Sequence, residues 1–316
     1  MEIKLDPELQ AVVDATTNPE APHAADVPIE MLRMGYVMIS AEQGLKDVPC
    51  DEIRDLEIAG AEGDIGARLY VPAGMGDATS GALVFIHGGG FMIGNLDSHD
   101  SVCRQLANHG HCRVVAIDYR LAPEHKFPAA VDDSIAAANW IFENVASLNI
   151  DPNRVAVGGD SAGGNLSAVV SHHFAANTDF NFKLQLLIYP ATDARTDTES
   201  MTVLKEAGVT LDARILEYFN EGYLGGTDAD PADPRRSPAA SASFANLAPA
   251  HVVTAEYDPL RDEGKAYAEL LEAHGIPATY RCYEGLMHNF IQQTGVVTSA
   301  RKAVEDMGAV LKEAVG

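Results

Sequence analysis

Residues 154–158 (RVAVG) run directly into residues 159–163 (GDSAG), and residues 164–170 (GNLSAVV) follow. The first segment is typical of a short buried strand, and the last is compatible with a helix. G-x-S-x-G between a strand and a helix indicates a nucleophile elbow, a sharp turn whose glycines relieve crowding around the central serine. The helix N-terminus favours developing negative charge. We therefore predict Ser161 as a nucleophile; the alternative is a glycine-rich turn with a solvent-facing serine.

Length and composition describe an ordinary globular protein of one large or two small domains. The chain has 316 residues, of which 47% are hydrophobic and 22% are charged. It contains no apolar run of the roughly 18 to 20 residues that a membrane-spanning helix needs. The first residues lack the pattern of a signal peptide, and the four cysteines form no CxxC pair. These features predict a cytoplasmic protein with no membrane partner.

The charge of the chain excludes several classes of partner. It has 22 basic and 46 acidic residues, which gives a net charge of −24. Such a balance argues against nucleic acid and anionic membrane surfaces as partners, and it favours solubility.

The order of predicted strands and helices indicates an α/β fold. Residues 53–58 and 65–71 alternate in polarity and predict an antiparallel hairpin at one edge. The six further predicted strands are residues 82–86, 113–117, 154–158, 184–188, 251–254 and 278–283. The predicted helices are residues 96–109, 129–149, about 162–176, 261–274 and 297–314. This alternation predicts a doubly wound, mostly parallel eight-stranded sheet with helices on both faces.

Two segments fall outside this strand–helix alternation. Residues 1–47 contain Pro19, Pro22 and Pro28 and then a helix-compatible stretch, so they predict a covering element. Residues 191–244 are too long for a plain connection between a strand and a helix, and they include a helix-compatible stretch at 211–224. We predict that both segments belong to a helical cap. Residues 48–190 and 245–316 then form the catalytic α/β domain.

A glycine-rich segment, residues 87–91 (HGGGF), directly follows the third predicted strand. Backbone N–H groups of Gly88 and Gly89, together with that of Ala162, are predicted to form an oxyanion hole. A phosphate-binding loop fits less well, because its third glycine would fall at Ile93 and no Walker lysine follows. His87 precedes the serine and is predicted to order the loop.

A serine nucleophile needs a base and an acid that orients this base. In α/β-hydrolase topology they follow the serine in the order acid, then histidine. Among the histidines after Ser161, only His288 lies in a loop after a strand; the others (His172, His173, His251 and His274) fall in or at the ends of helices and strands. The loop after residue 255 supplies the acid. Asp258 is favoured, because a proline holds it outside the next helix, and Glu256 is second.

Metal and cofactor chemistry have little support in the sequence. His109 and His111 have the spacing of paired ligands, but no third ligand lies nearby in sequence. We predict no metal site and no cofactor.

Five motifs, in order along the chain, together resemble the hormone-sensitive-lipase family of α/β-hydrolases, in its bacterial esterase branch. The motifs are residues 87–91, residues 119–130 (YRLAPEHKFPAA), residues 159–165, residues 258–264 (DPLRDEG), and His288 with Phe290. The resemblance implies an α/β-hydrolase fold, the triad of Ser161, Asp258 and His288, and an oxyanion hole from Gly88, Gly89 and Ala162.

The resemblance also implies a function. It predicts a serine carboxylesterase that hydrolyses short- to medium-chain carboxylic esters through an acyl-enzyme, with a small-molecule ester as its partner. An amidase or lactonase on the same scaffold is the alternative, followed by a ligand-binding member without catalysis. By analogy with the family, a homodimer is expected to form through the strand at residues 278–283.

Overall fold

A computed structural model describes residues 3–177, 180–194, 197–208 and 211–316. In this part of the chain, one sheet of eight strands has the spatial order β1-β2-β4-β3-β5-β6-β7-β8. The strands are β1 (Cys50–Gly60), β2 (Gly63–Pro72), β3 (Ser80–Ile86), β4 (Arg113–Asp118), β5 (Ile150–Asp160), β6 (Gln185–Ile188), β7 (Ala250–Tyr257) and β8 (Ala278–Met287). The β1–β2 and β2–β4 pairs are antiparallel, and the other pairs are parallel. The predicted fold class is confirmed.

Helices of the described residues connect these strands and cover the sheet. They are α1 (Pro7–Thr16), α2 (Ile29–Gln43), α3 (Asp100–Gly110), α4 (Ala129–Glu143), α5 (Ala162–Asn177), α6 (Glu199–Ala207), α7 (Ala213–Leu224), α8 (Arg261–Ala273) and α9 (Thr298–Val315). Each of them is too short or too polar to cross a membrane.

The largest differences from the predicted helix boundaries are at the start of α3 and the end of α4, and local hydrogen bonds explain the first of them. α3 begins later than predicted, because Asn95 Oδ1 accepts hydrogen bonds from the N–H groups of Asp97 and Ser98 and holds them in a turn. α4 ends earlier than predicted. Turns follow it, and Asn149 takes a left-handed conformation with φ 54° before β5 begins.

The core lies on both faces of the sheet. In β3 every residue is buried, and successive side chains point to opposite faces. Leu83 and Phe85 pack in the cluster that contains the buried faces of α3 and α9. Val84 and Ile86 pack in the cluster that contains the buried faces of α4 and α5. This double coverage explains why the central strands read as continuous apolar runs.

The N-terminal helices and the segment after β6 lie partly over the carboxyl ends of the strands. α2 is held there by Arg33, whose Nε donates to the Met92 carbonyl at 2.8 Å, and by Tyr36, whose hydroxyl donates to Asn289 Oδ1 at 3.0 Å. The N-terminal segment meets the later one where His23 Nε2 lies 2.6 Å from Asp212 Oδ2. The later segment contains α7, predicted at residues 211–224, and α6, which the sequence analysis missed. Residues 209 and 210 lie outside the described part.

Candidate active site

The nucleophile elbow is formed where β5 ends at Asp160 and α5 begins at Ala162. Ser161, between them, has a φ of 54°, a strained value for a residue with a side chain. Its neighbours must be small. A Cβ at Gly159 would lie 2.0 Å from the Ile86 carbonyl oxygen, and one at Gly163 would lie 1.9 Å from the same atom. The glycines of the motif therefore allow the elbow to pack directly against the end of β3.

Three predicted site residues meet at the carboxyl end of the sheet. His288 Nε2 lies 2.9 Å from Ser161 Oγ, and His288 Nδ1 lies 2.7 Å from Asp258 Oδ2. Asp258 is completely buried and His288 is 6% exposed. With Nδ1 facing a carboxylate, the imidazole donates there and leaves Nε2 to accept the serine proton. This is the geometry that a serine nucleophile with a histidine base requires.

The structure also distinguishes between Asp258 and Glu256, the two candidates for the acid. β7 extends to Tyr257, further than predicted, so Glu256 lies inside the strand. Its Oε2 accepts a hydrogen bond of 2.8 Å from the N–H of Gly285. Asp258 is the first residue after the strand, and its Oδ1 accepts from the Leu260 N–H at 2.8 Å. The second oxygen of Asp258 is the one that meets His288.

The structure contradicts one part of the predicted oxyanion hole. The N–H of Gly88 donates to Asp160 Oδ1 at 2.8 Å, so it points away from the reacting atoms. Within the described part of the chain, the N–H groups of Gly89 and Gly90 have no hydrogen-bond acceptor. Ala162 is the first residue of α5, so its N–H lacks an intrahelical partner. Gly89, Gly90 and Ala162 line the cavity next to Ser161, and Gly88 does not.

His87 lies beneath the glycine loop. Its Nδ1 is 2.8 Å from the Gly88 carbonyl oxygen, and its ring stacks on that of Tyr119 with 4.4 Å between centroids. Burial lowers the pKa of His87 to about 3, so the ring is neutral at physiological pH. Through these contacts, His87 supports the glycine-rich loop after β3.

A cavity of about 660 Å³ opens above Ser161 and His288. Its walls are largely apolar, and several come from α7 and the loop after β3: Phe91, Leu216, Phe219 and Tyr223. The rings of Phe91 and Tyr223 stack with 3.9 Å between centroids. An apolar cleft with a few convergent polar groups is typical of a small-molecule site.

The described residues contain no cluster of three or more histidine, cysteine or acidic side chains that would hold a metal ion. His109 lies in the last turn of α3, and His111 caps that helix in a left-handed conformation with φ 46°. The two histidines are therefore explained by the end of the helix.

Comparison with known proteins identifies relatives along most of the chain. A family model described as the alpha/beta hydrolase fold matches residues 83–292. Carboxylic ester hydrolase LipN of Mycobacterium tuberculosis is 46% identical over 245 residues, which are 76% of this chain and 64% of LipN. Ethyl acetate hydrolase of Pseudomonas putida is 39% identical over 81% of each protein.

A solved structure extends the similarity to nearly the whole chain. The ester-hydrolase EH1AB1, from the metagenome of Lake Arreo, superposes with a TM-score of 0.92 at 40% identity and covers 98% of both chains. The names of these relatives bear out the predicted class of enzyme, a carboxylic ester hydrolase, and the predicted resemblance. On the family match and these identities, the chain belongs to the α/β-hydrolase family.

Proposed function

We propose that this chain is a serine carboxylesterase that cleaves short- to medium-chain carboxylic esters with Ser161, His288 and Asp258. The observation that carries the proposal is the single imidazole of His288, which lies within hydrogen-bond distance of both Ser161 Oγ and Asp258 Oδ2. The relatives named as ester hydrolases support the choice of an ester over other acyl compounds.

In the first half of the reaction, Ser161 Oγ attacks the ester carbonyl while His288 Nε2 takes the hydroxyl proton. Asp258 accepts a hydrogen bond from the Nδ1–H of His288 and stabilises the imidazolium. The N–H groups of Gly89, Gly90 and Ala162 donate to the carbonyl oxygen as it becomes negative. The carbon–oxygen bond to the alcohol then breaks, and His288 returns its proton to the departing alkoxide.

In the second half, water takes the place of the alcohol. His288 Nε2 removes a proton from this water, whose oxygen attacks the acyl carbon. The same N–H groups stabilise the second tetrahedral intermediate. Its collapse breaks the bond to Ser161 Oγ, and His288 returns the proton to the serine. The carboxylic acid leaves, and the enzyme is regenerated without a cofactor.

Residues 1–47 and 191–244 form the cap of this enzyme, over a catalytic domain of residues 48–190 and 245–316. The contact between His23 and Asp212 supports a cap made from both segments, since it joins them directly. Leu216 and Phe219 of α7 support its role in substrate choice, because they line the cavity. The cavity of about 660 Å³ has the size of a small-molecule site, which supports a substrate with a short or medium acyl chain.

The proposed enzyme is a cytoplasmic homodimer. The position of β8 at the edge of the sheet supports pairing through this strand, since its outer backbone groups face no further strand in the described chain. Size-exclusion chromatography with light scattering tests this point. A single monomer peak at all protein concentrations would exclude the dimer.

The function is tested by hydrolysis of p-nitrophenyl esters from acetate to palmitate, with wild type beside Ser161→Ala. We expect turnover concentrated on short chains and abolished by the substitution. Turnover that persists in Ser161→Ala would overturn the assignment of the nucleophile. Wild type that is inactive on every ester, but active on matched anilides or lactones, would make the enzyme an amidase or lactonase.

A further inference from the structure

Asp160 is a buried acid directly before the nucleophile, and the proposed reaction does not use it. Its side chain is 1% exposed. Burial disfavours its charge, but the proximity of His99 and a hydrogen bond from the Gly88 N–H outweigh this effect and keep the pKa of Asp160 below its ordinary value. The chain thus carries a buried carboxylate beside Ser161. A buried charge is costly unless other groups pair with it and donate hydrogen bonds to it.

The partners of Asp160 come from the loop that carries the oxyanion donors. Oδ1 accepts the Gly88 N–H at 2.8 Å, and the other oxygen lies where only a glycine fits. A Cβ on Gly88 would be 2.4 Å from Asp160 Oδ2 and 2.6 Å from the Asp160 carbonyl oxygen. The carboxylate therefore fastens the elbow to the glycine loop through backbone atoms.

His99 completes this arrangement from the start of α3. Its Nε2 lies 3.1 Å from Asp160 Oδ1, an ion-pair distance, and both side chains are 1% exposed. Its Nδ1 lies 2.9 Å from Ser98 Oγ. The ring packs near the rings of Tyr36, Phe85 and His87, with centroids 5.5 to 6.2 Å away. His99 is thus fixed on several sides, and it fixes Asp160 in turn.

The oxyanion donors belong to two separate segments. Gly89 and Gly90 lie in the loop after β3, whereas Ala162 lies in the elbow after β5. Donors must lie within a few tenths of an ångström of their working positions to stabilise a transition state. The contact of Asp160 with Gly88 joins these segments one residue before Gly89 and two residues before Ala162.

We propose that Asp160 is a positioning residue for catalysis: with the His99 imidazole packed against its carboxylate, it sets the distance between the two halves of the oxyanion hole. This inference rests on the proposed esterase function and adds a role to it. Asp160 does not touch the reacting atoms with its carboxylate. It acts through the backbone of Gly88.

The test compares Asp160→Ala and Asp160→Asn with wild type, using p-nitrophenyl acetate and active-site titration. Removal of one oxyanion donor typically lowers kcat by about 10²- to 10³-fold, so we expect a loss of roughly 10²-fold in Asp160→Ala with KM within about twofold. Asp160→Asn retains an oxygen for the Gly88 N–H and is expected to recover part of this loss.

A trifluoromethyl ketone provides the readout that a merely structural role would not move. Ser161 Oγ adds to its carbonyl carbon, the proton passes to His288, and the resulting hemiketal oxyanion occupies the oxyanion hole. The inhibition constant of the ketone should therefore rise in Asp160→Ala by about the factor by which kcat/KM falls. An unchanged inhibition constant would overturn the proposal, even if activity declined.

Asp133→Asn is the matched control. Asp133 is also completely buried, it faces Arg120 Nε at 2.7 Å, and it accepts a backbone N–H from Ala61 at 3.0 Å. We expect this variant to lose thermal stability but to keep its kcat. An equal loss of kcat in Asp133→Asn would reduce the effect of Asp160 to general damage and would overturn the inference.

His99→Gln keeps the proposal testable if Asp160→Ala does not fold. It leaves the carboxylate of Asp160 and its bond to Gly88, and it removes the imidazole that lies 3.1 Å from Asp160 Oδ1. We expect kcat and affinity for the ketone to fall together, and unchanged values would contradict the role of the pair. Wild type that hydrolyses no ester would refute the proposed function, whereas an active wild type with unaffected variants would refute this inference alone.

Discussion

Asp258 and His288 are placed by the register of one pair of parallel strands. Tyr257 pairs with Met287 at the ends of β7 and β8, and Asp258 and His288 are the residues directly after these two strands. Their side chains then meet with 2.7 Å between Asp258 Oδ2 and His288 Nδ1. Thirty residues separate the acid and the base in sequence. Strand pairing, which keeps the two strand ends level, therefore sets their distance in space.

The Asp258→Asn variant tests this relationship. An amide in place of the carboxylate no longer stabilises the imidazolium and favours the wrong tautomer, so we expect kcat to fall by about 10⁴-fold. The measurement is kcat for p-nitrophenyl acetate, with the melting temperature as a check on folding. Glu256→Gln is the matched control, since the carboxylate of Glu256 accepts the N–H of Gly285. A larger loss in Glu256→Gln than in Asp258→Asn would contradict the assignment.

The positions of the elbow and of the three candidate catalytic residues could be predicted from sequence, because they depend on local patterns and on chain order. Ser161 lies between a strand and a helix, and His288 and Asp258 each directly follow a strand. The choice among Gly88, Gly89 and Gly90 could not be predicted. It depends on which peptide turns toward Asp160, a contact between residues 72 positions apart in sequence. Helix α6 was missed, as its nine residues are short for a periodic signal.

The packing of the elbow against β3 predicts a severe effect of Gly163→Ala. The new Cβ would lie 1.9 Å from the Ile86 carbonyl oxygen, which belongs to a buried strand and has no room to move. We expect the free energy of unfolding to fall by about 3 kcal/mol, together with most of the activity. Urea denaturation measures the first effect.

Gly35→Ala is the control for this substitution. Gly35 lies in α2, and a Cβ there would meet no atom within 4 Å. Alanine favours a helix over glycine by about 0.5–1 kcal/mol, so this variant should be as stable as wild type or slightly more so. Similar losses in the two variants would show that crowding at the elbow is not the cause.

The low pKa of buried His87 predicts how the free energy of unfolding depends on pH. Burial lowers its pKa to about 3 in the folded chain, whereas the unfolded chain binds a proton near pH 6.5. The unfolded state thus holds more protons between these values, and stability falls as the pH falls. The contribution of His87 between pH 7 and pH 5 is about 2 kcal/mol.

His87→Gln isolates this contribution in urea denaturation at the two pH values. The variant should lose about 2 kcal/mol less than wild type between pH 7 and pH 5. The comparison is needed because burial raises the pKa of Asp118 to about 6, which changes stability in the opposite direction over this range. Equal pH dependence in wild type and variant would show that His87 is not held neutral.

Asp212 has two roles in the proposed cap. Its Oδ1 accepts the N–H of Ile215 and caps α7, and its Oδ2 lies 2.6 Å from His23 Nε2. Asp212→Ala removes both contacts and should lower the free energy of unfolding by about 1 kcal/mol. We also expect a higher KM with little change in kcat, because α7 lines the cavity. Asp212→Asn keeps an acceptor for the Ile215 N–H, so its stability and KM should lie closer to those of wild type. A change confined to kcat would contradict the role of Asp212 in the proposed cap.

Phe219 is expected to limit the length of the acyl chain. Its ring lies against the loop after β3, so close that a Cβ on Gly90 would be 2.4 Å from the ring, and it lines the cavity above Ser161. Phe219→Ala should raise kcat/KM for octanoate relative to acetate by about 10-fold, since one methylene in an apolar pocket is worth about 1–3 kcal/mol. Tyr218→Ala is the matched control, because Tyr218 precedes Phe219 on α7 but lies outside this cavity. If both variants keep the wild-type profile across p-nitrophenyl esters, the acyl chain does not pass Phe219 and must enter along another wall.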